Sequence, residues 1–461
     1  MTNNPNVLFF FTDDQRFDTI QALGNEEIHT PNLDELVKSG TTFTHAHIPG
    51  GTVGAVCMPS RAMLHTGRTL FNLENNGSTI PENHSIFGET LRENGYETFG
   101  TGKWHNGKST FNRSFNHGAE IFFGGMNDHW NVPAYHYDPT GKYASRKFIN
   151  NWLYNNKVDH HDCDHISAGK HSSELFSECS IKWLQEYDSD NPFYMYISFM
   201  APHDPRSMPD EFLNMYDPES ITLPNNFMEE HRFDFGITEI RDELLTPYPR
   251  RKSEIKRHIA EYYGMISHLD NELGKVISVL KEKDLYDNTI IVFAGDNGLA
   301  LGQHGLMGKQ SCYEHSIRVP LIFSGPSIPV NKQCNSYAYL LDIFPTICDL
   351  LEIEAPDSVE GCSLLPAIQH DNKIRDYLYF GYGDCCRAIK NDRFKLIEYR
   401  TEELKETQLF DLINDPLEKI NLSEDSTFHY IYSELTGKLL EFSKEWNDTK
   451  HPIGKDFWDK Y

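Results

Sequence analysis

Short apolar runs alternate with amphipathic segments along most of the chain. Residues 6–11, NVLFFF, are an unbroken apolar run ending on charge, and a run this short predicts a buried strand. TPNLDELVKSG (30–40) places Pro31 at the first helical position and Gly40 past the end, so it predicts a helix. SIFGETLRENG (85–95) is built the same way, and YETFGTGKW (96–104) predicts a strand running into a loop. HSSELFSECSIKWLQEY (171–187) predicts an amphipathic helix, followed by the strand PFYMYISFM (192–200) and a long helix over 253–283. NTIIVFAGDNG (288–298) and RVPLIFSG (318–325) predict two further buried strands. This rhythm implies an α/β fold: a large mixed, mostly parallel sheet sandwiched by helices. After about residue 370 the texture changes. RAIKNDRFKLIEYR and TQLFDLINDPLEKINL predict hairpin strands around Asn-Asp turns. The expected organisation is a catalytic domain over 1–370 and a smaller C-terminal α+β subdomain over 371–461, with 352–372 as the connection.

Composition narrows the function. The chain has 461 residues and ordinary apolar content, enough for a full core. No apolar run approaches the roughly 18 residues that span a bilayer, so no membrane partner is expected. The opening MTNNPNVLFFF lacks a basic n-region and a small-residue cleavage site. The expectation is a cytoplasmic protein, or a periplasmic or secreted one if the native N-terminus was trimmed. Nine scattered cysteines without CxxC spacing argue against a disulfide framework and a structural zinc site. Lys plus Arg is 42 against 68 Asp plus Glu, a formal charge of −26. That surface repels polyanions, which excludes nucleic acid and disfavours a long sulfated polymer.

The candidate chemistry lies where strands end. Asp13 and Asp14 follow the first strand, Lys103 and His105 follow the strand at 96–100, His203 follows YISFMAP, and Asp296 and Asn297 follow IIVFAG. In open parallel sheets, ligands bind beyond the carboxyl ends of the strands. Each motif alone reads more plainly as a turn, a cap or a solvated loop; together, in this order, they converge on one crevice. Three Asp and one Asn form an all-oxygen set suited to a hard cation, calcium ahead of magnesium. Cys57 sits at the expected N-terminus of a helix begun by Pro59, where backbone N–H groups favour an anion. Arg61, Lys103, His105, His203 and Lys309 add positive charge, making a pocket for a tetrahedral oxyanion. A thiol suits this pocket poorly, because sulfur is a weak match for a hard cation and attack on a sulfate ester would give a sulfur–sulfur species without turnover. An aldehyde at residue 57 removes both problems: one hydroxyl of its hydrate binds metal and attacks, and the other later loses its proton and expels sulfate.

Cys57-Met58-Pro59-Ser60-Arg61, extended through Thr66-Gly67-Arg68, resembles the signature of formylglycine-dependent type I sulfatases of the alkaline-phosphatase-like superfamily. The resemblance runs on through FFFTDDQR (9–16), GTGKWHNG (100–107), APHDP (201–205), FAGDNG (293–298), GQHGLMGKQSCYEHSIRVPLI (302–322) and LFDLINDPLEKINL (409–422). It implies that a maturation enzyme oxidises Cys57 to formylglycine. It also implies that Asp13, Asp14, Asp296, Asn297 and modified Cys57 hold calcium, that Arg61 steadies the hydrate, and that Lys103 and Lys309 hold the sulfate oxygens. His105 resembles the base of the second step, and His203 the acid that protonates the leaving alcohol. Gln303 before His304-Gly305 departs from a common family pattern with Glu there. The implied activity is hydrolysis of an O-sulfate ester, of a sulfated mono- or oligosaccharide. The alternatives are a phosphonate monoester or phosphodiester hydrolase and an inactive anion- or carbohydrate-binding homologue.

Other motifs carry less. GTGKW is not a phosphate loop, because Glu97 and Trp104 occupy the positions that need Gly and Ser or Thr. No G-x-S-x-G elbow is present. HHDCDH (160–165) has the wrong spacing for zinc and is expected to be a solvated loop. Asp204 and Arg206 beside the expected acid would read substrate hydroxyls or a carboxylate, or serve only the loop.

Overall fold

The computed structural model describes residues 4–143, 146–150 and 159–461, the side chains of 146–150 and 159–161 excepted. The elements that position the site are, in chain order, β1 (Asn6–Thr12), α1 (Pro31–Ser39), β2 (Gly40–Phe43), α2 (Cys57–Thr66), β3 (Glu97–Lys103), β4 (His117–Phe122), α3 (Ser172–Glu186), β5 (Phe193–Ser198), α4 (Lys252–Glu282), β6 (Thr289–Gly295), β7 (Leu321–Ser324) and β8 (Lys332–Cys334). They form an eight-stranded sheet in the order β8-β2-β7-β6-β1-β5-β3-β4. β1 lies between β5 and β6 and is parallel to both. Its side chains alternate between two cores: Val7, Phe9 and Phe11 on one face, Leu8 and Phe10 on the other. An apolar run with no polar face is the pattern of a strand covered on both sides.

The sheet is mixed because β7 runs antiparallel to both β6 and β2. RVPLIFSG is not the single strand expected from its sequence. Arg318–Val319 pairs instead with Ala46–His47 in a small separate sheet, and only Leu321–Ser324 joins the large one. Pro320, which has no N–H to give a ladder, stands between them.

A second sheet follows, with β9 (Leu378–Tyr382), β10 (Cys386–Lys390), β11 (Phe394–Arg400) and β12 (Lys405–Asp411) as an antiparallel meander. Gly50–Gly51, just ahead of α2, adds to its edge beside β9. Helices α5 (His429–Glu445) and α6 (Pro452–Lys460) complete the chain. The hairpin expected over 407–422 does not form; β12 has no return strand. The Asp411 carboxylate accepts the N–H groups of Ile413 and Asn414, and Asp415 accepts those of Lys419 and Ile420. Such local side-chain bonds take the donors that a ladder would use. HHDCDH is not a solvated loop either: Asp159–Cys163 is a strand paired with Arg146–Asn150, Cys163 is buried, and His165–Ile166 pairs with Pro133–Ala134. The His160 and His161 side chains lie outside the described residues. Among the described residues, no helix is long and apolar enough to cross a membrane.

Candidate active site

The register of three parallel strands brings the candidate residues together. Phe11 pairs with Ala294 and Thr12 with Gly295, so Asp13 and Asp296 leave neighbouring strand ends side by side. Asp14 turns back at once through a left-handed conformation, φ 64°. Its N–H donates to Asp296 Oδ1 at 3.0 Å. Its carbonyl accepts from the Tyr262 hydroxyl of α4 at 2.5 Å. Asn297 Nδ2 and Lys309 Nζ both donate to Asp14 Oδ1, at 2.6 and 2.5 Å.

α2 begins at Cys57 and is buried along almost its whole length. Ser60 ties it to the sheet by donating to the Asp296 carbonyl at 2.6 Å. One turn in, Arg61 donates through Nε to Asp296 Oδ2 at 2.9 Å and through Nη1 to Ser198 Oγ, at the end of β5, at 2.6 Å. Its guanidinium lies over the Phe11 ring, 5.0 Å from the centroid. Cys57 Sγ stands 3.5 Å from Lys103 Nζ and 3.5 Å from His105 Nδ1. Lys103 Nζ also donates to Asp13 Oδ2. His203 Nε2 lies 3.7 Å from Asp14 Oδ2, while its Nδ1 faces the Asp204 carbonyl at 2.7 Å. All ten sequence-derived site residues therefore surround one point, on six separate segments.

Three carboxylates, Asp13, Asp14 and Asp296, and three permanent cations, Arg61, Lys103 and Lys309, are buried together at the site. Burial opposes charge on Asp13, but Lys103, His203, Arg61 and Lys309 hold its carboxyl far below the usual range. Burial, then repulsion by Asp13, pushes Asp296 up despite Arg61. Burial opposes charge on Lys309 too, and Asp14 outweighs it. Burial raises the Cys57 thiol against the pull of Lys103 and Lys309, so this sulfur is not an activated thiolate. Burial, with Lys103 and Arg61, lowers His105 to about 2. Burial lowers His203 to about 4 against the opposing pull of Asp14.

Two buried acceptors, Asp13 Oδ1 and Asn297 Oδ1, have no hydrogen-bond partner. Native structures leave few such groups unpaired without reason. One oxygen each from Asp13 and Asp14 lies within 4.8 Å of a His203 nitrogen, and one each from Asp13 and Asp296 lies equally close to Cys57 Sγ. An all-oxygen set with orphaned lone pairs fits a hard dication.

The site opens into a cavity of ≈ 250 Å³ lined by Cys57, His105, His203 and Lys309. It also reveals residues that the sequence did not mark. Arg241 and Asp242 line the cavity wall; Arg241 pairs with Asp204 behind it and donates to Asp242 Oδ1 at 2.7 Å. Asp242 is fixed by Gln310 Nε2 at 2.5 Å. Gly125 packs against His105, and a Cβ there would fall 2.9 Å from the ring. No local signal points to Arg241 or Asp242, which lie in an irregular polar stretch; Gln310 could have been found as the neighbour of Lys309. Arg206 bonds to His258 Nδ1 at 2.7 Å and is not among the cavity residues. A second cavity of ≈ 330 Å³, lined by His231, His304, Tyr313 and Gln408 among others, contains none of the candidates.

Known proteins share this chain's sequence pattern and fold. The family model described as sulfatase matches residues 5–353. A second, described as N-sulphoglucosamine sulphohydrolase, C-terminal, matches 302–445. The chain is 28% identical to a sulfatase of Formosa agariphila, over 96% of this chain and 88% of that protein. It is 24% identical to an N-acetylglucosamine-6-O-sulfatase of Bacteroides thetaiotaomicron, over 97% and 88%. A structure solved with its substrate D-glucosamine-2-N,6-O-disulfate superposes with a TM-score of 0.74 at 22% identity, covering 97% of this chain and 99% of that one. The phosphonate monoester hydrolase of Agrobacterium radiobacter shares the fold, with a TM-score of 0.73 at 21% identity over 96% of each chain.

Proposed function

Since the chain belongs to the sulfatase family and is a sulfuric ester hydrolase, we propose that it removes an O-sulfate from a small saccharide, with residue 57 oxidised to formylglycine and a calcium ion beside it. The observation that carries this reading is the pair of orphaned acceptors, Asp13 Oδ1 and Asn297 Oδ1, in a pocket that also holds Arg61, Lys103 and Lys309. Three carboxylates and three permanent cations balance there, so a divalent ion tips the pocket positive, which suits a sulfate ester anion.

Asp13, Asp14, Asp296 and Asn297 would hold the ion. When bound, it supplies charge that polarises the ester and favours ionisation of an adjacent hydroxyl. The rest of the chemistry belongs to the chain. Cys57 Sγ marks the place of the hydroxyl that an aldehyde hydrate would present, between Lys103 and His105. Lys103 and Lys309 hold sulfate oxygens in that pocket, and Arg61, clamped by Asp296 and Ser198, fixes the helix that carries residue 57. The His203 Nδ1–H donates to the Asp204 carbonyl, leaving Nε2 as the nitrogen that carries a second proton to the departing alcohol. An anionic ester beside the ring favours that protonated form. His105, neutral by burial and by its cationic neighbours, is placed to take a proton from residue 57 as sulfate leaves.

The saccharide assignment rests on the named substrates of two relatives and on the rim. Arg241 with Asp204 and Asp242 offers paired donors and acceptors, the kind of surface that reads sugar hydroxyls. The charge of −26 favours a short substrate over a sulfated polymer. The test has two arms. Peptide mass spectrometry of protein coexpressed with a maturation enzyme should show residue 57 as formylglycine. A panel of sulfated mono- and disaccharides, with aryl sulfate and aryl phosphonate as controls, should show turnover of a sugar sulfate above both aryl esters. An unmodified thiol in active protein sinks the nucleophile; preference for the phosphonate sinks the substrate.

A further inference from the structure

A second cluster of donors lies at the far edge of the large sheet. Glu120 is in β4, but the β3–β4 register passes from Thr101↔Ala119 to Gly102↔Ile121 and skips it. Glu120 is thus the extra residue of a bulge, at φ 49°. A non-glycine residue in the left-handed region is strained, and a bulge re-aims its side chain. Here the carboxylate meets two imidazoles. Glu120 Oε2 lies 2.7 Å from His165 Nε2. The His165 ring stacks on that of His136, with centroids 4.2 Å apart and planes 16° apart. Backbone pairing fixes the arrangement: Ile121 bridges to Tyr135, and His165 pairs with Ala134. The His136 N–H donates to Asp164 Oδ2 at 3.0 Å. One ligand atom from each of Glu120, His136 and His165 lies within 4.8 Å of the other two.

We propose that these three residues bind a zinc-class dication, distinct from the ion of the active site. Two imidazole nitrogens and one carboxylate suit zinc or a neighbouring transition ion, and they leave an open position for water. An imidazole ligates through an unprotonated nitrogen. Without an ion the His165 Nε2–H donates to Glu120 Oε2; Nδ1 is buried without a partner, so the ring proton has a free nitrogen to move to, leaving Nε2 and Glu120 to face the ion. An ordinary Glu–His pair needs neither the second imidazole nor the bulge. The ion would clasp three segments whose sequence order hides them from one another. β4 runs directly into Gly125 and Met126, which line the catalytic cavity, so a filled clasp braces that wall from outside. It is a positioning and stability site, since none of its ligands touches the reacting atoms.

The experiment uses the full chain saturated with calcium, which occupies the oxygen site, and titrates it with zinc chloride and with cobalt chloride as a visible probe. The wild type should bind one more zinc per chain than the His136→Ala/His165→Ala variant, show a cobalt absorption band that this variant lacks, and rise in Tm on zinc addition where the variant does not. Glu120→Gln, which keeps the shape of the side chain, should weaken zinc binding at least tenfold. Both variants should keep the wild-type Tm without zinc to within a few degrees, which separates lost ligation from lost folding. Equal zinc stoichiometry in wild type and double variant, or no zinc bound by either, overturns the proposal.

Discussion

Two buried Arg–Asp pairs with similar distances do different work. Arg387 and Asp448, both fully buried, join β10 to the segment between α5 and α6. Arg387 Nε lies 2.6 Å from Asp448 Oδ2, and Nη2 lies 2.9 Å from Oδ1. The same carboxylate accepts from the Tyr379 hydroxyl at 2.5 Å and Trp458 Nε1 at 2.8 Å. Nothing is left over, and the pair acts as a clamp. Arg61 and Asp296 lie as deep, yet their surroundings include Asp13 and Asn297 with unpaired oxygens, and repulsion from Asp13 acts against the Asp296 charge. A buried charge network with every acceptor satisfied describes a joint, whereas one with acceptors unpaired towards a common point describes a binding site.

The sharpest way to test that difference is to remove one residue from each side. Cys57→Ala deletes the side chain around which the unsatisfied groups converge. Its hydrolysis of a sulfate ester should fall by about 10⁴-fold or more, the scale for loss of a nucleophile, with Tm close to wild type. Retained turnover would show that residue 57 is not the nucleophile. Asp448→Ala should do the reverse. It leaves Arg387 charged and unpaired in the core, which costs about 3–5 kcal/mol. Thermal unfolding should report that loss, while kcat at a temperature where the variant is folded stays near wild type. A large fall in kcat without a shift in Tm would reverse the assignment of the two pairs.

The ion gives a third, smaller contrast. Removing calcium with a chelator should stop turnover and lower Tm. The loss corresponds to about 2.7 kcal/mol when the starting calcium is about 100 times its Kd. Asp448→Ala should show the same calcium-dependent increment, because separate sites without shared partners add. Asn297→Ala should shrink it, since that variant loses one of the two orphaned oxygens. An increment unchanged in Asn297→Ala would remove Asn297 from the ligand set.

Strand ends were the legible part of the site. Asp13, Asp14, Asp296 and Asn297 follow runs so apolar that their strand character is plain, and parallel register does the rest. Cys57 was legible through its neighbours Pro59 and Arg61 at a helix start. The losses have physical causes. Pro320 divides what hydropathy joins, and the side chains of Asp411 and Asp415 take the backbone donors that a return strand after β12 needs. Cys163 pairs and buries in a stretch whose charge suggested solvent. Ser198 was hidden inside a strand pattern, although it holds Arg61. Of the Glu120, His136 and His165 cluster only His165 stood in a stretch that drew notice, HHDCDH, and its partners carried no signal, because the spacing is set by a bulge and by pairing between segments 16 and 29 residues apart in sequence.

Arg241 is where sequence said least and where the finest effect is expected. It is 42% exposed at the cavity wall, and its partners Asp204 and Asp242 are largely buried. Its ion pairs are therefore partly screened, and their loss should cost little stability. Arg241→Ala should leave Tm within about 2 °C of wild type and lower kcat/KM on a sugar sulfate by about tenfold, mainly through KM, which corresponds to about 1.4 kcal/mol of lost binding. On an aryl sulfate, which has no hydroxyls for the rim to read, the same variant should perform like wild type. That divergence places Arg241 outside the machinery shared by all sulfate esters and inside the part that chooses among them. An equal loss on both substrates would mean that Arg241 supports His203 through Asp204, and would move the rim into the catalytic half of the comparison.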